Sequence, residues 1–138
     1  MMRWERKNYS SGAPLEEKAG YSRIVVVGPF IFVGGTTSVQ PDGTVYGEND
    51  AYAQAKYIFA KLMDCLAKAG GVPADVIRVK AYVTDMKRAA EFGKAYTEFF
   101  KEIKPLFTMV GIAELNRPSQ LIEIELDAIV SRETILFQ

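Results

Sequence analysis

No histidine occurs anywhere in the 138 residues. That absence removes Ser–His–Asp and Cys–His catalysis, histidine general bases and histidine-ligated zinc. Any chemistry must come from carboxylates, lysine, arginine, tyrosine, hydroxyls, backbone groups or water. A single cysteine, Cys65, rules out an intramolecular disulfide and fits a reducing compartment. Net charge is missing too, since 17 Lys and Arg balance 17 Asp and Glu. Proteins that grip phosphate backbones usually carry a basic excess, so nucleic acid is not an expected partner. No apolar run approaches the roughly 20 residues that cross a bilayer, and residues 1–11 carry no apolar stretch of signal-peptide type. A cytoplasmic location without a membrane partner is the expectation.

What is present describes an ordinary globular protein: 49% of residues are apolar and 25% charged. The length suits one domain, 1–138, large enough to bury a core without staples. No internal repeat, low-complexity stretch or linker interrupts it.

Residues 3–9 alternate enough for a short strand, and residues 10–20 read as a loop. Residues 22–27 and 30–34 are β-branched and aromatic, and Gly28-Pro29 between them predicts a tight hairpin. A long glycine-bearing loop covers residues 35–48. The helical spacing of Ala51, Ala55, Ile58, Phe59, Leu62 and Leu66 predicts a helix over 49–69, capped by Asn49 or Asp50 and stopped by Gly70-Gly71. A strand over 75–83 should set Arg78, Lys80 and Tyr82 on one face, with Ile77, Val79, Ala81 and Val83 on the other. A second helix is expected over 86–103, with Asp85 as cap, an apolar stripe of Phe92, Tyr96, Phe99, Phe100 and Ile103, and Pro105 beyond its end. Strands over 106–115 and 121–130, joined through residues 116–120, read as a closing hairpin. The fold class is α+β, a six-stranded mixed sheet with two helices packed on one face.

Helices on one face should leave the other polar, and strands 76–83 and 121–130 alternate accordingly. The strands at 24–33 and 106–115 are apolar on both faces. Two helices cannot cover both sides of such a sheet, so the open side is expected to be a subunit interface.

Several features carry competing readings. Glu123, Glu125 and Asp127 share one strand face, with neighbours about 7 Å apart. Such carboxylates can perform acid–base work, or simply face Arg78 and Lys80 across a strand pair. Gly34-Gly35-Thr36-Thr37 lacks the Gly-Lys-Ser/Thr ending of a phosphate loop, so glycines that allow close backbone approach are the better reading. Tyr46, Tyr52 and Tyr57 are explained by packing before base stacking. Cys65 reads as a small hydrophobe on the first helix and Trp4 as packing on the first strand.

Together, Gly20-Tyr21-Ser22-Arg23 and the run from Val27 to Thr37 resemble the N-terminal signature of the Rid family, also called YjgF or endoribonuclease L-PSP. Tyr52-Ala53-Gln54-Ala55, the stretch Val79-Lys80-Ala81-Tyr82-Val83-Thr84-Asp85-Met86, and Leu121-Ile122-Glu123-Ile124-Glu125 match it as well. The resemblance covers roughly residues 18–130. It implies a chorismate-mutase-like fold and a homotrimer with small-molecule clefts between subunits. It also implies a hydrolase of the deaminase type, acting on enamine or imine metabolites such as 2-aminoacrylate with no metal and no organic cofactor. An already reactive imine needs mainly positioning and an activated water, which a His-free chain can supply.

The resemblance carries over Tyr21, the backbone at Gly34 and Gly35, and Glu123, which would place the water or the leaving amine. It also exposes departures. Active deaminases carry an arginine that grips the substrate carboxylate, a bidentate task. In the matching stretch Lys104-Pro105-Leu106-Phe107 that position is Phe107, which offers neither donor nor charge. A family asparagine aligns with Gly93. A pocket lined by Phe107 should favour a flatter, less anionic ligand unless another cation enters. Arg23 is the first candidate, also readable as a surface or interface arginine paired with an acid, and Arg117, in the loop before the last strand, is the second. A non-catalytic ligand-binding or sensing trimer is the alternative function, with a ribonuclease or translation inhibitor behind it.

Overall fold

A computed structural model of the chain describes residues 3–130. Six strands build one mixed sheet: β1 (Arg6–Tyr9), β2 (Ile24–Val27), β3 (Phe30–Thr36), β4 (Val76–Val83), β5 (Leu106–Gly111) and β6 (Ile122–Ile129). Three α-helices interrupt them: α1 (Pro14–Ala19), α2 (Ala51–Lys68) and α3 (Ala89–Phe100). The spatial order is β1-β2-β3-β6-β4-β5.

The β2–β3 hairpin turns where the sequence places it. Gly28 adopts φ +58°, and the Trp4 ring lies beneath it so closely that an added Cβ would stand 2.5 Å from that ring. Both facts demand glycine. The same ring packs on Phe30, centroids 5.3 Å apart, so Trp4 is indeed a packing residue.

α2 begins at Asp50, whose carboxylate accepts from the Ala53 amide at 3.0 Å, leaving Asp50 rather than Asn49 as the cap. Its stripe of Ala51, Ala55, Ile58, Phe59, Leu62 and Leu66 is buried as the spacing predicts. α3 adds Phe92, Ala95 and Phe100. Beneath them lie Ile31 and Val33 of β3, Val79, Ala81 and Val83 of β4, and Ile122, Ile124, Leu126 and Ala128 of β6. At roughly 1.5–3 kcal/mol for each large apolar side chain buried, this layer dominates the folding drive.

Five expectations need correction. Residues 10–20 contain α1: proline starts it, and Gly20, left-handed at φ 83°, ends it by donating to the Glu16 carbonyl. The second helix is shorter than expected, because Asp85 caps a 3₁₀ turn at Met86–Arg88 that precedes α3. Ile77 is exposed rather than core-facing, because a bulge against β6 between Val76 and Arg78 resets the alternation and buries Val76 instead. Finally, β5 and β6 do not form a hairpin. β6 lies between β3 and β4, antiparallel to both, and β5 runs parallel to β4 at the sheet edge after the crossover through α3. Strand β5 also ends at Gly111, short of the expected 115.

The helix-free face is banded. β6 and β4 give a polar centre, where the register sets Glu123 opposite Tyr82, Glu125 opposite Lys80 and Asp127 opposite Arg78. Apolar residues flank it on both sides. Phe32 on β3 is 44% exposed and Leu106 on β5 57%, with Val110 and Ile129 exposed as well. Strands apolar on both faces are therefore a real feature of this subunit.

Candidate functional site

A cleft of about 1240 Å³ opens where α1, the far end of β3 and the start of β6 meet the outer side of α2. It is lined by Tyr21, Arg23, Gly35, Arg117 and Glu123, which the fold gathers from distant parts of the sequence. Lys61, Cys65 and Lys68 of α2 form the opposite wall.

The β3 strand explains the floor. Between the pairs Val33–Leu126 and Thr36–Ile124 the register slips, so Gly34 and Gly35 together stand opposite one residue of β6. The Glu123 carboxyl lies against Gly35, and a Cβ there would be 2.9 Å from the carboxyl carbon. This is the close approach expected of that glycine pair. Gly34 contributes backbone only, its N–H donating to the Arg23 carbonyl at 3.0 Å.

Arg23 sits inside this corner. Its guanidinium donates to the Gly35 carbonyl at 2.5 Å, to the Thr36 hydroxyl at 3.1 Å and, more weakly, to the Gly34 carbonyl at 3.5 Å. Its other terminal nitrogen lies 3.9 Å from a Glu16 carboxylate oxygen. The arginine is thus both in the cleft and paired with an acid, and it holds the bulge closed.

Electrostatics distinguish the carboxyls. Burial pushes Glu123 above the usual carboxylate range; Arg23 opposes that rise and Glu125 adds to it. Asp127 is likewise raised by burial. Burial also works on Glu16, but bonds from the Ser11 hydroxyl and amide and the Ser10 hydroxyl, with Arg23 nearby, outweigh it and hold that carboxyl below its ordinary value. The cross-strand reading of the acidic stripe holds for register, yet among the described residues neither Arg78 nor Lys80 forms an ion pair within 4.0 Å. Glu125 accepts instead from the Tyr82 hydroxyl at 2.8 Å. Cys65 is a thiol kept neutral by burial.

Arg117 is exposed and donates its guanidinium to the Gly43 carbonyl, tying the residue 116–120 loop to the 40–44 turn. Phe107 does not reach this cleft within one chain. It lies at the far edge of the sheet, stacked on Tyr96 at 3.9 Å and 16°. Sequence reasoning missed Glu16 and Lys61. Glu16 sits in a polar segment that reads as loop, and nothing in hydropathy marks it as buried. Lys61 falls on the polar side of α2, where it donates to the Thr37 and Val39 carbonyls at 2.8 and 3.0 Å. Among the described residues, no three His, Cys, Asp or Glu side chains converge as metal ligands do.

A six-stranded mixed sheet with its helices on one face, and a His-free cleft at a glycine bulge beside a half-buried carboxyl, define a small α+β protein of YjgF type. The chain matches the family model described as Endoribonuclease L-PSP over residues 12–130, and it belongs to that family, the Rid or YjgF family. It is 32% identical over 113 residues to a RutC family protein of Pyrococcus abyssi, covering 82% of this chain and 87% of the relative. An uncharacterised protein of Streptomyces coelicolor is 30% identical over 122 residues, covering 88% and 90%. The crystal structure of Rv2704 from Mycobacterium tuberculosis, described as a member of the YjgF/YER057c/UK114 family, superposes with TM-score 0.82 at 37% identity, covering 91% of this chain and all of that one.

Proposed function

We propose that the protein is a homotrimer whose clefts bind small imine- or enamine-type metabolites and hydrolyse them without a cofactor. The observation that carries this reading is Glu123, a half-buried carboxyl of raised pKa packed on Gly35 at the floor of a cleft that Tyr21 also lines. Burial favours its protonated form over that of an exposed carboxyl, and a carboxyl so placed can both take up and give back a proton. Ionised, it accepts a proton as water adds to the carbon of a protonated C=N group, giving a carbinolamine. Protonated, it returns that proton to the nitrogen; the C–N bond then breaks, ammonia leaves, and the carboxylate takes the hydroxyl proton as the carbonyl forms, passing it on to solvent. Tyr21, exposed at the rim, would orient the substrate.

The trimer is supported by the apolar bands of the helix-free face and by the family resemblance. In that assembly a neighbouring copy would bring Phe107 to each cleft. Arg23 is held by its own backbone partners, so with Phe107 the site favours a ligand less anionic than 2-aminoacrylate. A cytoplasmic setting fits the composition, and no helix of the described residues is long and apolar enough to cross a membrane. Phe107 also favours a second reading, a sensing trimer without turnover. Balanced charge and absent histidine argue against ribonuclease action.

A coupled assay for ammonia and keto acid from 2-aminoacrylate, on wild type and Phe107→Arg, tests the reading. Slow wild-type turnover that rises at least about tenfold in the variant is expected, about 1.4 kcal/mol of transition-state binding. No turnover by either protein, together with ligand binding, would leave the sensing trimer.

A further inference from the structure

The carboxylate of Glu16 is only 2% exposed, although it belongs to a short polar helix. Burying a charge there is costly unless it is fully bonded. It is: the Ser10 hydroxyl donates at 2.9 Å, the Ser11 amide at 3.0 Å, and the Ser11 hydroxyl also donates. On its far side stands the Arg23 guanidinium, at 3.9 Å. Arg23 in turn donates to Gly35 and Thr36, and the Glu123 carboxyl rests on Gly35. A continuous chain of contacts therefore links a buried acid on α1 to the cleft floor on β3 and β6.

We propose that Glu16 is a positioning residue, which orients Arg23 so that its guanidinium closes the Gly34-Gly35 bulge and faces Glu123. An arginine with five N–H donors near several carbonyls needs one anion to select its rotamer, and Glu16 is the acid beside it. The serines fix Glu16 in turn, so Glu16 acts on the cleft floor through Arg23, while Ser11 and the start of α1 also form part of the cleft wall.

The charged and titratable groups around Glu123 are Arg23 just before β2, Glu125 on its own strand and Tyr82 across on β4; the walls of the cleft add Tyr21, Glu114 and Arg117 from loops and Lys61, Asp64, Cys65 and Lys68 from α2. Of these, Arg23 is the cation that lowers its proton affinity. If Glu16 holds Arg23 in place, removing the Glu16 charge lets the guanidinium swing off Gly35, and Glu123 loses its cation. If Glu16 merely neutralised part of Arg23 at a fixed position, removing it would leave Glu123 facing a stronger cation, and its midpoint would fall.

The test is the carboxyl carbon titration of Glu123 by NMR, assigned with Glu123→Gln, in wild type, Glu16→Gln, Arg23→Gln and the double variant. Glu16→Gln is expected to raise the Glu123 midpoint by about half a pH unit or more, and Arg23→Gln to raise it similarly. The double variant should go no further than Arg23→Gln alone. An unchanged or lowered midpoint in a folded Glu16→Gln protein overturns the proposal, as does full additivity. Should Glu16→Gln not fold, Ser11→Ala carries the test, with a smaller rise expected and no movement overturning it. Glu123 enters here as the working carboxyl of the function proposed above. Its titration is read without turnover, so either idea can fail while the other stands.

Discussion

Glu123 and Glu16 are the same residue type shifted in opposite directions, and the difference is one of donors. Glu16 collects Ser10, Ser11 and Arg23, whereas Glu123 is half-buried with Arg23 alone against it. A carboxyl whose folded pKa lies above its unfolded one holds its proton more readily in the folded chain. Its ionisation therefore erodes stability as pH rises from the usual 4.5 through the raised value. Glu16 does the reverse: its contribution is present above 4.5 and is lost as pH falls through its lowered value. Glu123→Gln should thus gain on wild type as pH climbs, compared by urea unfolding at about pH 4 and about pH 7. Identical pH dependence in the two proteins would remove the burial argument for Glu123. The sequence pointed to Glu123 only through its resemblance to a family motif. As one of three alternating acids it carried no mark of its own, because burial depends on the bulge at Gly34-Gly35.

The elements divide by how local their information is. α2 was legible because its cap, its stripe and its glycine stop all lie within a few turns of one another. Its central ring, Phe59, packs on Phe99 and Phe100 at 5.5 Å each and on Tyr96 at 6.2 Å. Phe59→Ala should cost about 3–5 kcal/mol, read as a lower urea midpoint at unchanged slope. A loss under about 1 kcal/mol would show that α3 closes over the gap. β5 and β6 were visible as strands, but their partners were not. A turn-rich stretch between two strands reads as a hairpin, yet β6 satisfies both its edges, against β3 and β4, only by leaving β5. The Ile77 bulge is a similar case, since one extra residue reverses a face and leaves no local trace.

On the scale of the molecule, the helix-free face of the sheet is left uncovered within one subunit. Phe32, Val110 and Leu106 are exposed on either side of a polar band, an arrangement soluble monomers rarely keep. Sedimentation should find wild type trimeric, and Phe32→Lys should shift it to smaller species with its far-UV spectrum intact, since that side chain makes no core contact in the subunit. A monomeric wild type would dismantle both the trimer and the shared cleft.

By itself the sequence determined the class of the fold, the core stripe of α2, the doubly apolar strands and the exclusion of histidine chemistry. These follow from periodicity and composition, which act over short stretches of chain. Only the tertiary structure decided that β6 occupies the centre of the sheet, that Phe107 lies far from Glu123 within one chain, and that Glu16 is buried behind Arg23. Those outcomes rest on pairings between residues far apart in sequence, where the register of one strand against another, rather than any local preference, sets which side chains meet.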